Sequence, residues 1–190
     1  MSNILLAGVG GQGTILPGKI MGDLLVGAGY DVKISEIHGM SQRGGSVVTY
    51  VKFGEKVFSP TIETGEADVI VAFEQLEAAR WLMLLKPGGT VIMNTQKIMP
   101  MPVITGVAAY PTDLENKIKE SGAHTVFLDA AAKAREAENL RAVNLVLLGV
   151  LSSFMPFSKG KWLKSIENSV SPATVKSNKA AFLLGRRVGK

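Results

Sequence analysis

The sequence predicts an α/β fold: a Rossmann-like, doubly wound and mostly parallel sheet with one antiparallel hairpin and a helical C-terminal third. Three observations carry this. Short apolar runs rich in β-branched residues alternate with helical spacings over the first two thirds of the chain. The first run, Ile4-Leu5-Leu6-Ala7, leads straight into Gly8-Val9-Gly10-Gly11-Gln12-Gly13-Thr14, and from Ala130 onward the apolar residues recur at helical spacing alone. Strand and helix in alternation place helices on both faces of a parallel sheet. At 190 residues the chain fits one domain, 1–190, large enough to bury a substantial core.

The glycine run has the register of a strand-to-helix turn. Gly8 permits the tight turn, Gly10 lets a ligand approach the backbone, and Gly13 lets the helix pack closely on the strand. Thr14 is placed to cap the helix, which makes Pro17 its third residue, where a missing N–H is no loss. Met21, Leu24, Leu25 and Ala28 then follow helical spacing and face a core. Bare N–H groups at the positive end of a helix suit an anion, although the same glycines can serve only to turn the chain.

Asp31–Ser35 reads as the next strand, followed by the loop Ser35-Glu36-Ile37-His38-Gly39-Met40-Ser41-Gln42-Arg43-Gly44-Gly45-Ser46. Val47–Phe53 is a strand by its β-branched and aromatic content, and Gly54-Glu55-Lys56 turns it into Val57-Phe58 as a hairpin. Ala67–Phe73 is an apolar strand, Glu77–Leu85 a helix stopped before Pro87-Gly88-Gly89, and Thr90–Met93 a buried strand. Val103–Ala109 and Thr125–Leu128 read as further strands, with a helix over Thr112–Ser121 between them. The final helices break near Met155-Pro156 and Ser171-Pro172. Leu140–Leu151 is apolar enough to belong to a core or a subunit contact, with Asn144 satisfying a buried hydrogen bond.

The chain contains no cysteine, which excludes disulfides, thiolate catalysis and cysteine-ligated iron–sulfur clusters within it. Only His38 and His124 offer imidazole, so no metal site is expected. Met1-Ser2-Asn3 lacks the basic start of a signal peptide. Ala142–Leu151 is shorter than the roughly 20 apolar residues a membrane span needs, so no membrane association is expected and a cytoplasmic location follows. The net charge of +5 is concentrated at the end, where Lys159 to Lys190 holds eight Lys or Arg and the single acid Glu167. No aromatic stacking pattern or nucleic-acid motif accompanies it, so a solvated face or a basic patch for an acidic partner is expected, without nucleic acid.

In doubly wound sheets ligands sit at the carboxyl ends of the strands. Those ends bring the glycine turn, Glu36 with His38, Glu74, Asn94 with Thr95, and Asp129 toward one shared crevice; the alternative is that the polar residues cap the strands as they leave the core. Glu36 lies where a dinucleotide fold places its ribose-binding acid, roughly 20 residues beyond the glycines, or it pairs with Arg43. His38 has no partner at a spacing diagnostic of a general base and reads as a hydrogen-bonded loop histidine. Arg43-Gly44-Gly45 suits bidentate anion binding with close backbone approach, or a bulge before the strand. No residue is marked as catalytic.

Taken together, Gly8–Gly13, Ser35–Ser46, Ser59-Pro60, Gly65-Glu66-Ala67-Asp68, Phe73-Glu74, Gly88-Gly89 and Asn94-Thr95 resemble the gamma-type domain of the 2-oxoacid:ferredoxin oxidoreductases, nearest to their indolepyruvate-oxidising branch. The resemblance is strong from Ile4 to about Thr95 and architectural beyond; Pro17 departs from the family pattern. It implies that a 2-oxoacid is decarboxylated on thiamine diphosphate, that electrons pass through 4Fe–4S clusters to ferredoxin, and that coenzyme A takes the acyl group. It also implies that thiamine diphosphate, magnesium and the clusters lie in a large partner subunit, and the chain agrees in having no Gly-Asp-Gly motif. On the same ground Gly8, Gly10, Gly11, Gln12, Gly13, Thr14, Glu36, Arg43, Gly44, Gly45, Asn94 and Thr95 are cofactor-binding candidates for a shared coenzyme A site, with Lys97 added by position. Two other classes stay open: an autonomous dinucleotide-binding oxidoreductase using Glu36, and a non-enzymatic nucleotide-binding or scaffolding module. The sequence does not identify the 2-oxoacid.

Overall fold

The computed structural model describes residues 2–39 and 44–189. The first apolar run forms β1 (Ser2–Val9), and the glycine turn leads into α1 (Ile15–Gly27), with Pro17 third in the helix and buried. Next come β2 (Asp31–His38), β3 (Ser46–Gly54), β4 (Ala67–Ala72) and α2 (Gln75–Trp81). A 3₁₀ turn precedes β5 (Leu85–Asn94), which is followed by the one-turn α3 (Met101–Ile104), α4 (Leu114–Glu120) and β6 (His124–Leu128). The chain ends with α5 (Ala130–Glu136), α6 (Val143–Ser152), α7 (Lys159–Ser169) and α8 (Val175–Val188). Among the described residues no helix is long and apolar enough to cross a membrane.

The strands form one sheet in the order β2-β3-β1-β4-β5-β6. β1, β4, β5 and β6 are parallel, while β3 is antiparallel to both β1 and β2 and runs against the rest. The expected antiparallel hairpin therefore exists in a different place: it is β2 with β3, not Val47–Phe53 with Val57-Phe58. Both edges of β3 are already paired, so Val57 cannot form a hairpin with it. Its N–H instead donates to the Asp31 carboxylate at 2.8 Å. Lys33 and that N–H hold the Asp31 carboxyl below the usual carboxylate range. Val103–Ala109 is the second correction, because β6 already occupies the free edge of β5 and the chain after Pro100 and Pro102 makes α3 and an exposed loop.

Alternate residues of β1 supply opposite faces, as the pleat requires. Ile4 and Leu6 join Val51, Val71 and Ile92 beneath α1 and α5 to α8; Leu5 and Ala7 join Val48, Ile70 and Val91 beneath α2 and α4. The apolar run of α6 is consumed inside this core, with every residue from Asn144 to Ser152 buried, so it is not spare surface for a subunit contact. Its closest neighbour is α8. A Cβ on Gly149 would lie 2.1 Å from the Phe182 carbonyl oxygen, and one on Gly185 would lie 1.9 Å from that of Val146. Arg186 closes the far end of α6 by donating to the Ser152 carbonyl and hydroxyl, both at 2.7 Å.

This backbone contact leaves no room for a methyl group. Gly185→Ala is expected to cost at least about 1–3 kcal/mol through overpacking, with the melting temperature falling by roughly 2–4 °C per kcal/mol. Calorimetry of the purified variant checks it; an unchanged melting temperature would show that the two helices part without penalty.

Candidate functional site

The placement of β3 creates a gap. Val47, near its start, lies opposite Gly8 on one side and His38 on the other. The carboxyl ends of β1 and β2 are thus two strand spacings apart, about 10 Å. A cleft of about 350 Å³ sits over this gap, lined by Gly10, Gly11, Gly13, Thr14, Ile15, Glu36, His38 and Val47. A second slot of about 290 Å³ continues past Ile15 and Glu36 to Gly18, Lys19, Ile34 and Thr49. Glu36 stands where the two meet, and its carboxylate accepts from the Thr49 hydroxyl at 3.3 Å. His38 is exposed, with Nδ1 3.3 Å from the Gly39 carbonyl oxygen.

The glycine turn is held from several sides. Gly10 donates its N–H to the Gly45 carbonyl at 2.8 Å. The Gln12 side chain accepts from the Val9 N–H at 2.8 Å and donates to the Phe73 carbonyl at 3.0 Å and to Gln96 at 3.2 Å. Gly11 and Gly13 have φ of 102° and 75°, the left-handed region that a side chain disfavours. Asn144 satisfies the buried hydrogen bond expected of it, and the acceptor is the Gly13 carbonyl at 3.1 Å. Thr14 does occupy the cap position of α1, yet its side chain makes no cap hydrogen bond. The first-turn N–H groups of a 13-residue helix are therefore left for an acceptor outside it. That donor set fits an anion such as a phosphate.

Of the residues singled out in the sequence, Gly10, Gly11, Gly13, Thr14, Glu36 and His38 share this cleft. Gly8 and Gln12 lie behind the turn, Gln12 as its brace. Gly45 holds Gly10 through its carbonyl, and Gly44 has φ of 78°. Arg43 lies outside the described residues. Asn94 and Thr95 do not line the cleft. Asn94 is fully buried, donating to the Phe73 carbonyl at 3.1 Å and accepting from the Ala130 N–H at 3.0 Å. Thr95 donates its N–H to the Leu128 carbonyl at 2.9 Å, and its own carbonyl accepts from Gln75 at 2.9 Å. These bonds close the β4 to β6 end, so among the described residues the cleft stays on the β1 and β2 side. Asp129 and Glu74 cap α5 and α2 through the N–H groups of Ala132 and Glu77, at 2.9 and 3.0 Å. Lys97 lies over the Tyr110 ring, 5.8 Å from its centroid.

Two buried carboxylate clusters escaped the sequence reading. Glu74 also accepts from the Ile98 N–H at 3.1 Å and from the Tyr110 hydroxyl. Burial and this carboxylate push the Tyr110 phenol far above its ordinary range, so it remains a donor. Glu77 accepts from the Ser46 hydroxyl, from Trp81 Nε1 at 3.3 Å and from Arg80 Nε at 3.1 Å, tying α2 to the first residue of β3. Ser46 and Tyr110 stand 31 and 36 residues from their carboxylates, a separation no local spacing announces.

The sequence pattern of the pyruvate ferredoxin/flavodoxin oxidoreductase family matches residues 3–188. The chain belongs to this family. Subunit IorB of the indolepyruvate oxidoreductase of Thermococcus kodakarensis is 43% identical to this oxidoreductase chain over 193 residues, covering 99% of it and 96% of the relative. The gamma subunit of a keto/oxoacid ferredoxin oxidoreductase from Geobacter sulfurreducens matches its fold with a TM-score of 0.75 at 22% identity, over 100% of this chain and 98% of that one. A 2-oxoglutarate:ferredoxin oxidoreductase from Magnetococcus marinus, with 2-oxoglutarate, coenzyme A and succinyl-CoA bound, matches 99% of this chain and 31% of its own with a TM-score of 0.71 at 18% identity. At these identities the two solved structures share the fold.

Asn94 in this oxidoreductase chain serves the fold. Asn94→Ala orphans the Ala130 N–H and is expected to lower stability by about 1–3 kcal/mol, read from the midpoint of urea unfolding. Unchanged stability with weakened ligand binding would make Asn94 a ligand group instead.

Proposed function

We propose that this chain is the small subunit of a cytoplasmic indolepyruvate:ferredoxin oxidoreductase, folded as one gamma-type domain over 1–190. We further propose that its glycine-turn cleft receives the phosphate-bearing part of coenzyme A at a site shared with a large subunit. The observation that carries the reading is the 43% identity extending over 99% of the chain to an indolepyruvate oxidoreductase subunit. In the net reaction the 2-oxoacid loses carbon dioxide, its acyl group joins the coenzyme A sulfur with loss of the thiol proton, and two electrons pass to ferredoxin. Bound in the large subunit, thiamine diphosphate supplies carbanion stabilisation and the clusters carry electrons. The residues here fit neither group, having no cysteine for a cluster and no Gly-Asp-Gly for a metal diphosphate.

What this chain's own residues do is bind and orient. The turn and the first N–H groups of α1 donate to a phosphate, Ile15 walls the cleft, and Glu36 accepts from hydroxyl groups. Arg43, beside Gly44 and Gly45, adds a charge-assisted bond. The coenzyme A carried by the Magnetococcus marinus enzyme supports this reading through a shared fold.

Viologen reduction with indolepyruvate and coenzyme A is expected from the two-subunit complex and from neither subunit alone. In that complex Arg43→Ala is expected to raise the coenzyme A KM about ten- to a hundredfold, the loss of a hydrogen bond to a charged group. Arg43→Lys recovers little. Gly10→Val obstructs backbone approach, its folding checked by thermal melting. Turnover by the isolated chain overturns the subunit reading; an unchanged KM in both folded variants removes coenzyme A from the cleft.

A further inference from the structure

The segment after β5 is unlike the rest of the surface. From Ile98 to Thr112 it carries no charged side chain. α3, within it, buries none of its residues. Ile104 is 65% exposed and Val107 83%, and Met99 and Met101 stand out beside them. Solitary exposed apolar side chains need no explanation, but a continuous apolar stretch of this kind marks an interaction site.

The stretch is not a loose loop. Its first turn is fastened where Glu74 accepts from the Ile98 N–H, and its far end where Tyr110 donates to the same carboxylate. Gln96, just before it, bonds both Gln12 of the glycine turn and, through its carbonyl, the Gln75 N–H at 3.1 Å. It is therefore presented at a fixed height on the carboxyl edge of the sheet, beside the candidate site. Ile15 at the start of α1 and Ile37 near the end of β2 are also exposed on this edge, across the cleft.

We infer that the apolar ridge from Met99 to Val107 is the docking surface for the large, thiamine- and cluster-bearing subunit, an inference that rests on the function proposed above. Two observations choose this occupant. The cleft offers backbone donors, the Glu36 carboxylate and the His38 imidazole, but no cysteine to hold a cluster and no Gly-Asp-Gly for a metal diphosphate, so whatever completes the site must cover the edge on which the cleft opens. The ridge is also uncharged over its whole length, which suits a lasting apolar interface; the basic charge lies instead on α7 and α8. An acidic partner such as a reduced carrier would find nothing to pair with on the ridge.

The test uses the full chain and the large subunit from the same organism, with affinity read by interferometry and assembly by size-exclusion chromatography. Ile104→Asp and Val107→Asp each place a charge on the ridge. Both residues are exposed, and Val107 lies beyond the helix, so the melting temperature should hold. Each variant is expected to weaken association about tenfold or more. Phe58→Asp, at an 86% exposed position at the other end of the sheet, should leave it unchanged. Wild-type affinity in the folded Ile104→Asp and Val107→Asp variants, or equal weakening by Phe58→Asp, overturns the surface while the subunit reading stands. A chain that is dimeric by itself and made monomeric by either ridge variant also overturns it, since the occupant is then a second copy. No association of the unaltered chain overturns both.

Discussion

The insertion of β3 between β1 and β2 is the constraint from which the candidate site follows. In a sheet built only of parallel crossovers, the second strand would lie against the first, and an acid at its end would stand beside the glycine turn. Here β3 separates them by a full strand, with Val47 forming the floor between Gly8 and His38. The gap becomes a cleft, and Glu36 looks across it while held by Thr49. The same insertion saturates both edges of β3, which expels Val57 and makes the following segment a loop clamped by the buried Lys52. That lysine donates to the Thr61 carbonyl at 2.8 Å and meets Glu66 at 3.4 Å. With Glu36 displaced in this way, the arrangement departs from the one a self-sufficient dinucleotide site uses.

A wide cleft is useful only if its rim is rigid, and the glycine turn is joined to each layer around it. Gln12 reaches β4 through the Phe73 carbonyl and the end of β5 through Gln96; Asn144 reaches from α6; Gly45 receives the Gly10 N–H from the start of β3. Glu77 then fixes Ser46 next to Gly45. Each bond contributes only about 1 kcal/mol to stability. Their joint effect is geometric, since the turn cannot move without disturbing four elements at once, and supporting contacts of this kind hold binding groups in place.

Much of this was legible in the chain itself, and the limits have physical causes. Gly8–Gly13 after Ile4–Ala7 announced β1, its turn and α1 because glycine spacing and apolar runs are local signals. Asn144 announced a buried hydrogen bond because a lone amide in an apolar helix must be satisfied, but its acceptor, Gly13, lies 131 residues away. The partner of β3 was misplaced for the same reason: Val57-Phe58 is near in sequence and apolar, whereas β1 is distant, and edge saturation exists only once the sheet has formed. Asn94 and Glu36 looked alike as polar residues at strand ends. One is fully buried among backbone groups and the other opens onto the cleft, a difference decided by β6 and α5 packing over the end of β5.

The two halves of the carboxyl edge differ in a way that suits the subunit role proposed for the chain. At the β4 to β6 side, Asn94, Gln75, Glu74 and Asp129 are all committed to backbone N–H and carbonyl groups. Past Lys97 that side presents an uncharged, largely apolar stretch from Ile98 to Thr112. At the β1 and β2 side, backbone donors and Glu36 remain unclosed around the cleft. A polar recess next to an apolar ridge on the same edge satisfies both requirements of a shared site: a surface that holds a partner, and a recess whose missing groups the partner brings.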